Sequence, residues 1–304
     1  MKKSILVLTD LTENAAHAAE TAAILAGQIG CNLILLYCNN TISAISYYPF
    51  VPVEDESATW YEHAKNKLKL LSASLQQKAA REFPDQTQPV IKSLILEGDL
   101  LTHLREALRQ SQVELIAMGA KSGSSTEHFL FGSDTKTVAD HSSVPVMIVP
   151  RAAFLRPIIH LTFASNLVDQ DIEALSYLSD LRQSLCAELE ILHIRQYGQP
   201  ARPPYSPAKR YIDEICSKKN SLISYKEVYG KKVQSRLYKY CLDNDTDLLA
   251  LSHHHHSYLA LNLREGIVDQ SISQQHLPLL IIPEMNSGRK SKAEHYSGLS
   301  NIVF

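Results

Sequence analysis

Short apolar runs alternate with longer amphipathic stretches along most of this chain. Ser4–Thr9 is the first such run, and an Ala-rich stretch from about Asn14 to Ile29 follows it and closes at Gly30. Asn32–Tyr37 is a second apolar run, and a longer polar connection leads to an amphipathic stretch from about Ala58 to Phe83. Val90–Leu96, Val113–Met118 and Val144–Val149 read as further strands, with helices over Leu100–Ser111 and Ser133–His141 between them. Strands that are apolar at successive positions bury both faces, and alternation with helices implies parallel pairing through crossovers. The pattern therefore predicts an α/β fold with helices on both sides of the sheet.

The order then starts again. Ile158–Phe163 predicts a strand, Val168–Leu185 a helix and Glu188–His193 a strand. A Pro-rich connection over Gln199–Pro207 precedes a helix that runs to about Cys216. The rest reads as a strand at Ile223–Val228, a helix at Lys231–Leu242, a strand at Asp247–Leu251, a helix near Glu265–His276 and a strand at Leu279–Ile282. Two segments share one offset: Val144–Pro150 resembles Leu277–Pro283, and Glu114–Met118 resembles Asp247–Leu251, each copy standing 133 residues after the other. A shared offset marks an internal repeat. The expected division is a first domain over 1–150, a second over 157–284, and a polar tail over 285–304 that we expect to be disordered.

Composition narrows the class. The chain has 304 residues, 45% hydrophobic and 20% charged, as ordinary globular proteins have. A formal charge of −2 gives no general attraction to nucleic acid or to an anionic membrane. The opening apolar run is cut by Asp10, too soon for a signal peptide or a membrane span, so no membrane partner is expected. Cys31, Cys38, Cys186, Cys216 and Cys241 form no CxxC pair, and an odd, scattered set points to reduced thiols and the cytoplasm.

In a doubly wound sheet of order 3-2-1-4-5, ligands bind beyond the carboxyl ends of strands 1 and 4, where the order reverses. The polar signature falls at those places, after Thr9 and after Met118. Asp10 can accept hydrogen bonds from a ribose hydroxyl or an adenine amino group, and an Asx-turn or helix cap is the competing role. Gly119 permits close approach to the backbone. Gly132-Ser133 opens a helix whose free N–H groups and dipole favour phosphate, with the hydroxyls of Ser133 and Thr135 as added donors. A plain glycine loop with a serine cap accounts for the same residues. Lys121 is placed to reach a phosphate, although a lone loop lysine is more often solvated.

Gly119, Ser122 and Gly132-Ser133 together resemble the nucleotide-binding motif of the universal stress protein family: Gly-x-x-Gly, nine residues, then Gly-Ser or Gly-Thr. Ile5–Asp10 is similar to that family's first strand and Val144–Pro150 to its closing strand. The resemblance covers the first domain and, more faintly, the second. It implies two repeated doubly wound domains, each with a five-stranded parallel sheet of order 3-2-1-4-5, of the adenine nucleotide alpha hydrolase-like kind. It also implies an adenine-nucleotide cleft, ATP with or without Mg²⁺, lined by Thr9, Asp10, Cys38, Met118 and Gly119, with Lys121, Ser122, Gly132, Ser133 and Thr135 around the phosphates. Ser122 departs from the pattern where the family has glycine, with Gly123 beside it to take the turn.

The second domain lacks these residues. Asn166 stands at the Asp10 position and Ser252 at the Gly119 position, and no Gly-Ser opens the last helix. Nucleotide is not expected there. His253, His254, His255 and His256 are adjacent, and neighbours in a loop cannot all face one ion, so no metal site is expected. No GxxxxGK[ST] sequence, which would mark an efficient phosphoryl-transfer enzyme, is present. The expected function is a stress-response protein that binds nucleotide and acts as a regulator or scaffold. The alternatives are a slow ATP hydrolase or adenylyl transferase, and a nucleotide-free interaction scaffold. Val144–Val149 and Leu279–Ile282 are edge-strand candidates expected to meet antiparallel within one chain, with a homodimer of whole chains also open.

Overall fold

The computed structural model describes residues 2–39, 56–110, 112–122, 129–130, 133–198, 206–218, 222–253 and 276–284; at 56–58, 110, 121–122, 129–130, 133–134 and 253 it describes the backbone alone. In chain order the elements are β1 (Ser4–Leu8), α1 (Glu13–Ile29), β2 (Asn32–Asn39), α2 (Glu56–Glu82), β3 (Ile91–Glu97), α3 (Leu100–Gln110), β4 (Val113–Gly119), β5 (Lys121–Ser122), β6 (Phe129–Leu130), α4 (Ser133–His141) and β7 (Val146–Val149). They continue with β8 (His160–Ala164), α5 (Asp171–Leu185), β9 (Glu188–Gln196), α6 (Pro207–Ser217), β10 (Ile223–Gly230), α7 (Val233–Asp243), β11 (Leu248–His253) and β12 (Leu279–Pro283).

Ten strands form one sheet in the order β10-β9-β8-β11-β12-β7-β4-β1-β2-β3. Each half contributes five parallel strands in the order 3-2-1-4-5. The halves join where β12 pairs antiparallel with β7, with Leu279 opposite Ile148, Leu280 opposite Met147 and Ile281 opposite Val146. The repeat is visible in the registers. Gly119 pairs with Val149 in the first half and Ser252 with Ile282 in the second, both members 133 residues further on.

Alternation along each strand sends side chains to two cores. Ile5, Val7, Leu33, Leu35, Ala117 and Met147 join one face, covered by α1, α2, α5 and α6. Leu6, Leu8, Ile116, Met118 and Ile148 join the other, covered by α3, α4 and α7. Both cores run continuously across the seam, which is why the strands are apolar at consecutive positions.

Helix α1 is placed by small residues. Ala18, Ala19, Ala22, Ala23 and Ala26 are buried against the sheet. Gly27 presses on α2's outgoing chain, since an added Cβ would sit 2.6 Å from the Phe83 ring. Thr12 caps the helix start by accepting from the Ala15 N–H, and Gly30 ends it with a left-handed φ of 68°.

Two differences from the sequence reading fall near the two crevices. Lys121–Ser122 and Phe129–Leu130 pair antiparallel as a small ribbon, where an open loop was expected; two-residue strands carry no periodicity. Helix α5 begins at Asp171 rather than Val168, because Val168 closes a turn with the Asp171 N–H. The expected helix near Glu265–His276 lies outside the described residues except for His276, which is not helical; the 285–304 tail also lies outside them. Among the described residues, no helix is long and apolar enough to cross a membrane.

Candidate functional site

The site starts from the turn that follows β1. Leu11 takes a left-handed φ of 64°, an uncommon state for a leucine. Two local bonds hold it there: the Leu11 N–H donates to Thr9 Oγ1 at 3.1 Å, and the Thr12 N–H donates to Asp10 Oδ1 at 3.0 Å. Thr12 Oγ1 also donates to Asp10 Oδ1, at 2.6 Å. The Asx-turn weighed against ligand binding is thus present. It engages one carboxylate oxygen only, and Oδ2 makes no hydrogen bond among the described residues.

Beyond this turn lies a cleft of about 740 Å³ at the carboxyl ends of β1, β2, β3 and β4. That size falls within the roughly 300–1,000 Å³ typical of small-molecule sites. Its apolar lining comes from Leu8, Leu36, Met118 and Val138, and its polar lining from Thr9, Asp10, Thr12, Asn14, Asp99 and Thr135. The cleft sits between β1 and β4, where the strand order reverses.

Of the residues expected from sequence, Thr9, Asp10, Cys38, Met118, Gly119 and Thr135 line this cleft. Lys121 and Ser122 form β5, Ser133 is the first residue of α4, and Gly132 lies outside the described residues. Thr135 is 2% exposed in the first turn of α4, the turn whose N–H groups have no partner within the helix.

The Gly119 backbone is approached closely, and the approaching group is Asn14. A Cβ at Gly119 would lie 3.0 Å from the Asn14 carbonyl oxygen and 3.1 Å from its side-chain nitrogen. Asn14 Nδ2 donates to the Ala120 carbonyl and so ties the start of α1 to the end of β4. Asn14 Oδ1 is buried without a partner among the described residues, an acceptor left open beside the cleft.

The Cys38 thiol is pushed up to about 11, first by burial and then by Asp99, so it stays protonated at neutral pH and offers no thiolate nucleophile. Asp99 is held below the ordinary carboxylate value by bonds from the Thr102 N–H and hydroxyl, both 2.9 Å. Asn14, Asp99 and Arg151 were not anticipated as cleft residues. Asn14 and Arg151 belong to no motif, and only their packing brings them here.

The second half repeats the turn and places a buried acid between β8 and β11. Leu167 has a φ of 57°, and its N–H donates to Ser165 Oγ at 2.9 Å, the counterpart of Leu11 on Thr9. Asn166 therefore occupies the place of Asp10. Across from it, Asp171 is fully buried at the start of α5. Its Oδ2 accepts from Ser165 Oγ at 2.7 Å and from the Asn166 N–H at 3.1 Å, and its Oδ1 from Ser252 Oγ at 2.6 Å. His193 Nδ1 lies 2.9 Å from the Ser165 carbonyl. Asp171 and its two serine partners thus link the ends of β8 and β11. His253 ends β11, and His254, His255 and His256 lie outside the described residues.

Comparison with known proteins fits this geometry. The sequence model of the universal stress protein family matches residues 1–150. No curated protein matches the chain. A universal stress protein from Archaeoglobus fulgidus has a similar structure over 92% of this chain and 98% of its own, with a TM-score of 0.70 and 16% identity, which shows a shared fold. A universal stress protein from Lactobacillus plantarum is 27% identical over 48% of this chain and 97% of its own, with a TM-score of 0.36. Another universal stress protein, solved in complex with cAMP, is 20% identical over 49% of this chain and 97% of its own, with a TM-score of 0.34. Through residues 1–150, this chain belongs to the universal stress protein family.

Proposed function

We propose that the first half binds an adenine nucleotide, ATP foremost, in the cleft between β1 and β4, and that the chain acts as a regulatory or scaffold protein. The observation that carries this reading is the 740 Å³ cleft at the sheet's switch point, with Asp10 on one wall and the first turn of α4 on the other. A carboxylate suits a ribose hydroxyl, and free N–H groups at a helix start suit a phosphate. The apolar lining suits the faces of a base. Asp10, Glu13 and Asp99 give the cleft an acidic border, so Mg²⁺ carried by the phosphates would ease their approach.

On this reading the chain has two unlike domains, 1–150 and 157–284, the first with a cleft for ligand and the second without one. The domains pair within one chain, and the protein works in the cytoplasm without contacting nucleic acid.

Isothermal titration of the full chain with ATP, with and without Mg²⁺, tests the proposal beside Asp10→Ala and Gly132→Val variants. Heat with the parent that falls at least tenfold in affinity with each variant is the expected result. An absence of heat with all three defeats nucleotide binding and leaves a scaffold that works through its surface. Steady ATP turnover above background would replace the regulator with an enzyme.

A further inference from the structure

Among its described residues, the border of the first cleft is unbalanced in charge. Asp10, Glu13 and Asp99 are acids, and Arg151 is the cation among the described lining residues. A nucleotide's phosphates bring several negative charges into this setting, so a cation within reach matters more than it would in a neutral cleft. Arg151 follows β7 and opens the segment that leads to β8. Its guanidinium Nη2 lies 3.1 Å from Glu13 Oε2, with the two side chains 70% and 88% exposed. A pair so open to solvent is weakly held and screened by salt. A polyanion in the cleft competes for the guanidinium, which can bind phosphate through two parallel N–H groups.

The backbone beneath Arg151 is fixed from both sides. His17 Nε2 on α1 lies 2.9 Å from the Ala153 carbonyl, and His276 Nδ1 lies 2.8 Å from the Ala152 carbonyl. The His276 ring stacks on Phe154, with centroids 5.6 Å apart, and Arg156 pairs with Asp247 at 2.5 Å. Gln28 exchanges two hydrogen bonds with Ile158, at 2.7 and 3.0 Å. Such a clasp leaves the Arg151 side chain as the part that moves, with its Cα kept at the cleft's edge. Holding the chain in place before binding reduces the ordering that a ligand must impose.

We propose that Arg151 is a phosphate-binding residue of the first cleft, held by Glu13 until the phosphates of a nucleotide take its place. The proposal rests on the nucleotide reading above. It assigns opposite roles to two side chains that touch each other. Arg151 attracts the phosphates, and Glu13 both repels them and competes for Arg151.

Titration calorimetry with ATP and with adenosine, which has no phosphate, separates these roles on the full chain. Arg151→Gln is expected to weaken ATP about five- to tenfold and leave adenosine unchanged. Arg151→Lys, which keeps the charge, should recover part of that loss. Glu13→Gln is expected to tighten ATP about two- to fivefold, again with adenosine unchanged, and the gain should shrink at high salt. If Arg151→Gln leaves ATP affinity at the parent value, or weakens ATP and adenosine equally, the assignment is overturned while the nucleotide cleft stands. If the parent binds neither compound, the cleft reading falls and Arg151 falls with it.

Discussion

Replacing Asp171 by alanine tests how strongly its buried carboxylate ties β8, α5 and β11 together. The carboxylate is fully buried and accepts from Ser165 Oγ, Ser252 Oγ and the Asn166 N–H at 2.6–3.1 Å, and from the Val168 N–H at 3.4 Å. Hydrogen bonds to a charged acceptor contribute about 1.5–3 kcal/mol each, and donors left buried without a partner cost about 1–3 kcal/mol each. Offsetting this, truncation removes the cost of burying a charge, which is several kcal/mol. The expected net loss is about 3–4 kcal/mol, at the high end for a single substitution. At roughly 2–4 °C per kcal/mol for a chain of this size class, Tm should fall by about 6–16 °C.

Urea unfolding followed by far-UV circular dichroism and by Trp60 fluorescence gives the readout. Trp60 is the single tryptophan and stands on α2 of the first half, so the two probes report different regions. A shift in both probes means that the shared sheet unfolds as a unit. A shift in circular dichroism alone means that the second half loosens by itself. A loss below about 1 kcal/mol would refute the reasoning, because several bonds to one buried carboxylate cannot be so cheap to lose.

Other outcomes follow from neighbouring features. Gly119→Val puts a Cβ 3.0 Å from the Asn14 carbonyl, so it should push α1 away from β4 and lower ATP affinity at least tenfold; calorimetry showing parent affinity would contradict this. Leu280→Ala deletes a fully buried side chain at the seam opposite Met147 and should cost about 2–5 kcal/mol, read from urea midpoints. Burial lifts Cys38 to about 11 and Cys241 to about 12 from the ordinary 9.0. The folded state thus keeps protons that the unfolded chain releases, and stability should decline as pH rises from about 9 toward 11. A flat urea midpoint from pH 8 to pH 10.5 would count against it. The same burial predicts that Cys38 alkylates far more slowly than the exposed Cys186 at pH 8, measured by mass spectrometry of the peptides.

The fold was legible because its signals are periodic. Apolar runs marked the strands of the large sheet, and the 133-residue offset that linked Glu114–Met118 to Asp247–Leu251 reappears in the pairing of Gly119 with Val149 and Ser252 with Ile282. Asp10 was legible because a polar residue at the end of a buried strand needs a reason. The remaining site residues gave no such signal. In sequence Asp171 looks like an ordinary acid at a helix start, and only the fold brings Ser252, 81 residues away, within 2.6 Å. Arg151 reads as a linker cation until α1 carries Glu13, 138 residues away, to within 3.1 Å. Contacts of that separation depend on how helices and turns settle, and no local spacing encodes them. The β5–β6 ribbon was missed for a different reason: two residues are too few to show alternation.

The antiparallel join of β7 and β12 lies within one polypeptide. Two separate subunits paired through the same strands would come apart on dilution, and each could carry its own open cleft. Here the partners are tethered, so their association does not depend on how much protein is present. The one-to-one pairing of the two unlike halves is therefore fixed, the same at nanomolar as at millimolar levels. A change in one half's crevice is also free to occur without altering its counterpart.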